Sequence, residues 1–130
     1  MSIFSPITKG SLGEDYVEKY LRKKKFRILN RNMRNKYSEI DIIAENKEYI
    51  VFVEVKSRTG EYELRPVDAV SNAKQKKIML AAFCYIHENN ISKQPRFDVA
   101  EVFLDKNTFK PYKVNYIENA FSQGGDYAVF

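Results

Sequence analysis

Apolar residues recur along this chain with two different periods, and each change of period marks an element boundary. Over residues 11–25, Tyr16, Val17, Tyr20 and Leu21 fall on one side of a helical wheel together with Gly10 and Gly13. At about 100° per residue this is the apolar stripe of a packed helix. Two glycines on that stripe predict close approach of the helix backbone to a neighbour, and Glu14 lies at the stripe's edge. The pattern then tightens to alternation, predicting strands over 27–34, 38–45 and 49–56, with Asn46-Lys47 as the tight turn of a hairpin. Residues 57–66, holding Gly60 and Pro66, read as a polar loop. A second helix over 66–89 carries Val67, Val70, Ile78, Ala81, Ala82 and Tyr85 on one stripe, with Lys74 near its middle. Two more strands, 97–104 and 111–116, flank a turn at Lys106-Asn107; a short helical segment over 117–121, a Gly124-Gly125 hinge and an apolar tail over 127–130 follow. The order α-β-β-β-α-β-β predicts an α/β fold, a mixed sheet with helices on both faces.

Three of these positions break the hydrophobic pattern in a way that suggests chemistry. Asp41 sits inside Glu39-Ile-Asp-Ile-Ile43, and Glu54 and Lys56 sit inside Ile50-Val-Phe-Val-Glu-Val-Lys56. Charge is rarely buried in a sheet unless it is paired or binds a metal. Residues i and i+2 of a strand share a face, so Glu54 and Lys56 point the same way, and the hairpin partner brings Asp41 beside them. Two carboxylates and an ammonium then converge, as in a site that binds Mg²⁺ and activates water. Glu14 could reach the same place from the first helix, or serve as a first-turn acid favoured by the helix dipole. Lys74 either snorkels from its apolar stripe or points inward toward the acids. Asp98, in Arg96-Phe-Asp-Val99, reads foremost as a structural ion pair.

Composition narrows the classes. At 130 residues, 44% hydrophobic and 14% aromatic, the chain suits one globular domain over 1–130, with a core at 10–121 and a tail at 122–130. No apolar run approaches a membrane span and no signal peptide opens the chain, so a soluble cytoplasmic protein is expected. Cys84 is the only cysteine and His87 the only histidine, which removes internal disulfides, Cys-based zinc clusters and His-dependent triads. Any catalysis must run on carboxylates, lysine or tyrosine. The net charge of +5 is uneven: residues 1–36 hold ten Lys and Arg against three Asp and Glu. That asymmetry suits a nucleic-acid surface, although Arg22-Lys23-Lys24-Lys25 would also complement a helix C-terminus.

The ordered set Gly10-Ser-Leu-Gly13-Glu14, Arg31-Asn-Met-Arg34, Glu39-Ile-Asp41-Ile-Ile-Ala44, Val51-Phe-Val-Glu54-Val-Lys56-Ser-Arg58, Ala69-Val70, Lys74, Arg96-Phe-Asp98-Val99 and Asn119-Ala-Phe121 resembles the bacterial YraN family over nearly the whole chain. That family is largely uncharacterised and is grouped by resemblance with the PD-(D/E)XK nuclease superfamily, which includes archaeal Holliday junction resolvases. Two departures stand out: Ser38 occupies a position that is usually glycine, and Ile40 precedes Asp41 where the superfamily name implies proline.

The resemblance implies a restriction endonuclease-like three-layer α/β/α sandwich and a Mg²⁺-dependent endonuclease, with Mn²⁺ able to substitute, acting on DNA, with branched structures as candidate substrates. It places Glu14, Asp41, Glu54 and Lys56 in the catalytic set, to which Lys74, read as pointing inward from its stripe, is added. Asp41, Glu54, the Val55 carbonyl and Glu14 would hold the metal. Lys56 would orient or deprotonate the attacking water and Lys74 would steady a phosphate oxygen. Arg31, Arg34, Lys36, Arg58 and Lys74 are the expected nucleic-acid contacts. Resolvases of this fold act as dimers, so a homodimer is the implied assembly. The alternatives are a nucleic-acid-binding protein of the same fold with little or no turnover, and an interaction protein whose apolar tail serves a protein partner.

Overall fold

The computed structural model describes residues 8–59 and 70–122. Its elements are α1 (Lys9–Lys23), β1 (Arg27–Arg34), β2 (Glu39–Glu45), β3 (Tyr49–Thr59), α2 (Asn72–Glu88), β4 (Gln94–Leu104) and β5 (Pro111–Phe121). The five strands form one sheet in the order β1-β2-β3-β4-β5. Pairs β1-β2, β2-β3 and β4-β5 are antiparallel, whereas β3-β4 is parallel. Only the parallel pair needs a long crossover, which contains α2.

The two helices cover opposite faces. Val17 and Leu21 of α1 pack on Ile42, Ala44, Val51, Val53, Ala100, Val102 and Leu104. Ile78, Ala81 and Ala82 of α2 pack on Ile43, Ile50, Phe52, Phe97, Val99 and Phe121. The three central strands are therefore buried on both sides, which is why they read as near-continuous apolar runs. This is the expected α/β sandwich with a mixed sheet.

Local chemistry sets the element ends. Thr8 caps α1 in a reciprocal box with Ser11, whose N–H donates to Thr8 Oγ1 at 3.0 Å while its Oγ accepts from Thr8 N at 3.1 Å. The helix stops at Lys23, short of the expected residue 25, because Lys25 adopts a left-handed φ of 72°. Arg22 and Lys23 occupy the last turn, where their charge complements the helix dipole. Asn46 makes the β2–β3 turn by accepting from the N–H groups of Glu48 and Tyr49.

Several expected boundaries are corrected. Strand β3 runs on to Thr59 because β4 pairs with it in parallel along its whole length, from Tyr49↔Gln94 to Thr59↔Leu104. Ser57 is thus strand rather than loop, and β4 begins at Gln94. Helix α2 begins at Asn72, capped by Ser71. The 117–121 segment is not helical but the end of β5. Its Ile117, Ala120 and Phe121 have helix-like spacing because a register shift between Phe97 and Val99, with Asn119 at φ 52°, lengthens the period-two pattern locally. Gly60, Pro66, Val67, Ala69, the Gly124-Gly125 hinge and the apolar tail lie outside the described residues.

Candidate active site

The charged positions gather at one end of the sheet, where β2 begins and β3 ends. On β3, Ile50 and Phe52 face α2, so alternation carries Glu54, Lys56 and Arg58 onto the same face. On β2, Ile43 lies directly opposite Phe52, but Ile40 and Ile43 both pack toward α2 while Ile42 packs toward α1, so the alternation of β2 is interrupted at Asp41. The regular β2–β3 ladder runs from Glu45↔Ile50 to Ile42↔Val53. At the next position, where Asp41 would face Glu54, the Asp41 side chain takes over: its Oδ2 accepts from the Val55 N–H at 2.8 Å. Asp41 also lies across from Asn32, between the pairs Arg31↔Ile42 and Met33↔Ile40.

The Asp41 and Glu54 carboxyls are neighbours close enough to share a proton. Burial, reinforced by the negative charge of Glu54, raises the Asp41 pKa to about 7, although the Val55 N–H bond works in the opposite direction. Lys56 Nζ stands 3.5 Å from Glu54 Oε2. Glu54 is buried, whereas the Lys56 side chain is 34% exposed, so the ammonium sits at the mouth of the cluster.

Glu14 approaches from α1. Its Oε1 accepts from Arg31 Nη2 at 3.2 Å and from Asn32 Nδ2 at 3.0 Å. Burial raises its pKa; Arg31 and Asn32 oppose the rise, and the charge of Asp41 adds to it. The Asp41 field therefore reaches Glu14, although Glu14 is anchored to β1 rather than to the pair. The helix can come this close because residue 13 is glycine: a Cβ there would lie 2.1 Å from Ser57 Oγ. Gly10 plays no such part, since it is exposed and the nearest atom to a Cβ there is Thr8 Oγ1 at 3.7 Å.

The remaining expected site residues are placed unevenly. Arg31 donates to Asp15, Glu18 and Glu14 of α1 at 2.7, 3.3 and 3.2 Å, tying β1 to the helix. Its burial disfavours the charge, but hydrogen bonds to these carboxylates outweigh that and raise its pKa. Arg34 is exposed, 3.5 Å from Glu39, and Lys36 lies 5.1 Å from the Tyr37 ring centre. Both flank the β1–β2 turn, at the same end of the sheet as Asp41. Lys74 is half-buried on α2, and among the described residues it forms no ion pair with Asp41 or Glu54. Arg58 Nε donates to Glu101 Oε2 at 3.3 Å.

Glu101 is the member that sequence reading missed. It pairs in register with Lys56 and is 0% exposed. The signal was present: in Phe97-Asp-Val-Ala-Glu101 the alternation of Phe97, Val99 and Glu101 puts a charge on an apolar face, as for Glu54. Asp98, by contrast, is the structural ion pair expected. It accepts from Arg96, from Tyr116 Oη at 2.6 Å and from Asn119 N at 2.9 Å, so both of its oxygens are engaged within the fold.

Chemically, the cluster offers hard oxygen donors beside an ammonium. Among the described residues no group of three acids converges on one point. The pair alone suits Mg²⁺, which keeps most of its waters and binds through one or two carboxylates. Two adjacent carboxyls that hold a proton near neutral pH form a donor set that a divalent cation would relieve. Among the described residues no helix is long and apolar enough to cross a membrane.

Comparison with known proteins places the chain. The model of the uncharacterised protein family UPF0102 matches residues 13–102, which span α1 to β4 and every acidic member of the cluster. A UPF0102 protein of Caldanaerobacter subterraneus subsp. tengcongensis is 47% identical over 115 residues, covering 88% of this chain and 94% of that protein. One from Clostridium acetobutylicum is 46% identical over 113 residues, covering 86% and 92%, and one from Clostridioides difficile is 45% identical over 114 residues, covering 87% and 96%. With nearly full-length matches at this identity, the chain belongs to the UPF0102 family.

Proposed function

We propose that the protein is a divalent-cation-dependent nuclease of the PD-(D/E)XK type that hydrolyses phosphodiester bonds in DNA. The observation that carries this reading is the Asp41–Glu54 carboxyl pair, with Lys56 Nζ 3.5 Å from Glu54, at the sheet end where β2 and β3 part.

Phosphodiester hydrolysis needs charge neutralisation, a nucleophile and protonation of the departing sugar oxygen. Mg²⁺ or Mn²⁺ held by Asp41 and Glu54, with the Val55 carbonyl as a further oxygen donor and Glu14 reaching the cation through water, would supply Lewis acidity and a nucleophile near neutral pH. The Val55 N–H holds Asp41 through Oδ2, which would leave Oδ1 for the cation. The Lys56 ammonium orients the attacking water and neutralises charge building on the phosphoryl oxygens. As the water oxygen bonds to phosphorus and gives up a proton to bulk water, the opposite P–O bond breaks and the sugar oxygen takes up a proton from a solvent water. Arg34 and Lys36, at the same end of the sheet, supply phosphate contacts. Arg58 and Lys74 extend that surface from β3 and α2, while Arg31 shapes it by holding Glu14 in place.

Branched DNA is the substrate to try first, and a homodimer would set two sites across a junction. The reading belongs with a cytoplasmic protein. A second reading, nucleic-acid binding with little turnover, draws on the anchoring of Glu14 by Arg31 and Asn32, which leaves two acids rather than three at the centre.

Incubation of the purified protein with labelled single-stranded, duplex, flap and four-way-junction DNA in Mg²⁺, Mn²⁺ or EDTA separates the two. Cation-dependent cleavage is expected, with Glu54→Ala and Lys56→Ala lowering it by about 10²-fold or more and leaving DNA affinity within a few-fold. Binding without cleavage by the wild type would favour the second reading. Equal cleavage by wild type and both variants would assign the activity to a contaminant.

A further inference from the structure

The face that carries Glu54 and Lys56 continues onto β4, and the β3–β4 register makes the neighbours explicit. Phe52 lies beside Phe97, Glu54 beside Val99, Lys56 beside Glu101 and Arg58 beside Phe103. In parallel strands such partners share a face, so Glu101 is the first carboxylate that Lys56 meets on the β4 side, as Glu54 is the one it meets on its own strand.

Glu101 is a costly residue to keep there. It is fully buried; Oε2 accepts from Arg58 Nε at 3.3 Å, while Oε1 is shielded from solvent and has no hydrogen-bond partner among the described residues. A buried carboxylate oxygen without a donor is disfavoured by kilocalories per mole, and such a group persists in a native fold for a reason. Besides Arg58, the donor that register places beside Glu101 is the Lys56 ammonium, which in this state is engaged with Glu54 at 3.5 Å.

We infer that Glu101 is a positioning residue for Lys56, and that the lysine exchanges its partner when Glu54 is occupied by a cation. With Glu54 committed to the cation, Lys56 Nζ turns to Glu101 Oε1, which satisfies the orphaned oxygen and holds the ammonium on the catalytic face. Without Glu101, a cation arriving at Glu54 would repel Lys56 toward solvent, away from the place where water must be oriented. Glu101 touches neither substrate nor cation in this arrangement; it acts through Lys56. The inference rests on the proposed cation site, but its central step can be reached without a metal.

The test removes the charge of Glu54 in the metal-free protein. In a crystal structure of Glu54→Gln, Lys56 Nζ is expected within hydrogen-bond distance, about 3 Å, of Glu101 Oε1. An ammonium that stays beside the new amide at position 54, or turns into solvent with Oε1 still unpartnered, overturns the proposal, whether or not the protein cuts DNA. Glu101→Gln supplies the second measurement, because it keeps the shape of the side chain and a hydrogen-bonding oxygen. If the wild type cleaves, this variant is expected to lose about 10-fold or more in kcat with KM for DNA within two-fold, whereas an unchanged kcat contradicts positioning. A wild type that never cleaves defeats the proposed function alone, and the Glu54→Gln structure still decides the role of Glu101.

Discussion

Asp98 and Asp41 are acids in strands of one sheet, and they are treated in opposite ways. Asp98 faces α1, as its register partner Val53 does, and its two oxygens are met by Arg96, Tyr116 and the backbone of Asn119. Its network is closed: Arg96 stacks 4.9 Å from the Tyr49 ring centre, and burial together with the Asp98 charge pushes the Tyr116 hydroxyl well above the usual tyrosine range. Asp41 has one backbone donor and another carboxyl for a neighbour. A buried acid with all its donors stabilises a fold. One left beside a like charge stores unfavourable electrostatics that a cation can release, and such strain is typical of functional sites. Asp98 is built into the architecture, and Asp41 is the acid left open to the cation that the proposed function requires.

The largest effect should come from opening the closed network. Asp98→Ala leaves Arg96 with the exposed Glu118, 3.7 Å away, as its ion-pair partner among the described residues and should destabilise by about 3–5 kcal/mol, as breaking one side of a buried pair does, lowering the thermal midpoint by roughly 10 °C or more. A loss under about 1 kcal/mol in denaturant titration would mean that Asp98 is not the keystone described. Next in size is the α1–β3 contact that brings Glu14 near the pair. Gly13→Ala puts a methyl group 2.1 Å from Ser57 Oγ and should cost about 2 kcal/mol. Ser57→Ala should restore most of that loss, since Ser57 Oγ has no partner among the described residues and the remaining neighbours stand at 3.5 Å. Absence of rescue would show that the strain lies in the helix itself.

The smallest effect has the opposite sign. The Asp41 pKa is raised, so the folded state holds its proton more tightly than the unfolded chain does. That contribution is fully present below the unfolded value, near 4, and is lost as pH climbs toward 7. Metal-free wild type should therefore lose stability across that window. Asp41→Asn, which keeps an acceptor for the Val55 N–H, should gain about 1–2 kcal/mol over wild type at pH 8 and nothing at pH 4. A variant destabilised at both pH values would place Asp41 with Asp98, among the structural acids.

What the sequence made legible follows from these contrasts. Period two alone put Glu54 and Lys56 on one face, and the hairpin turn at Asn46 set the register that brings Asp41 to them. The distinction between Asp41 and Asp98 was less open to view, because Asp98 depends on Tyr116 and Asn119 from β5, near a bulge that disguised the strand's end as a helix. The alternation of Phe97, Val99 and Glu101 marked Glu101 as a charge on an apolar face, but its alignment with Lys56 comes from a parallel crossover register that no local pattern encodes. Gly10 and Gly13 share a wheel position in sequence, yet only Gly13 meets a strand. Lys74 is half-buried on α2, as its place on the apolar stripe implied, but the ammonium that meets Glu54 is that of Lys56.

Asp41 and Glu54 are proposed to form a cation site. Its most direct test is anomalous diffraction from crystals soaked in Mn²⁺ at pH 8, where the shared proton has been lost. A Mn²⁺ peak between Asp41 and Glu54 that disappears in Asp41→Asn is the expected result; ordered, well-defined carboxyls with no peak between them would contradict it.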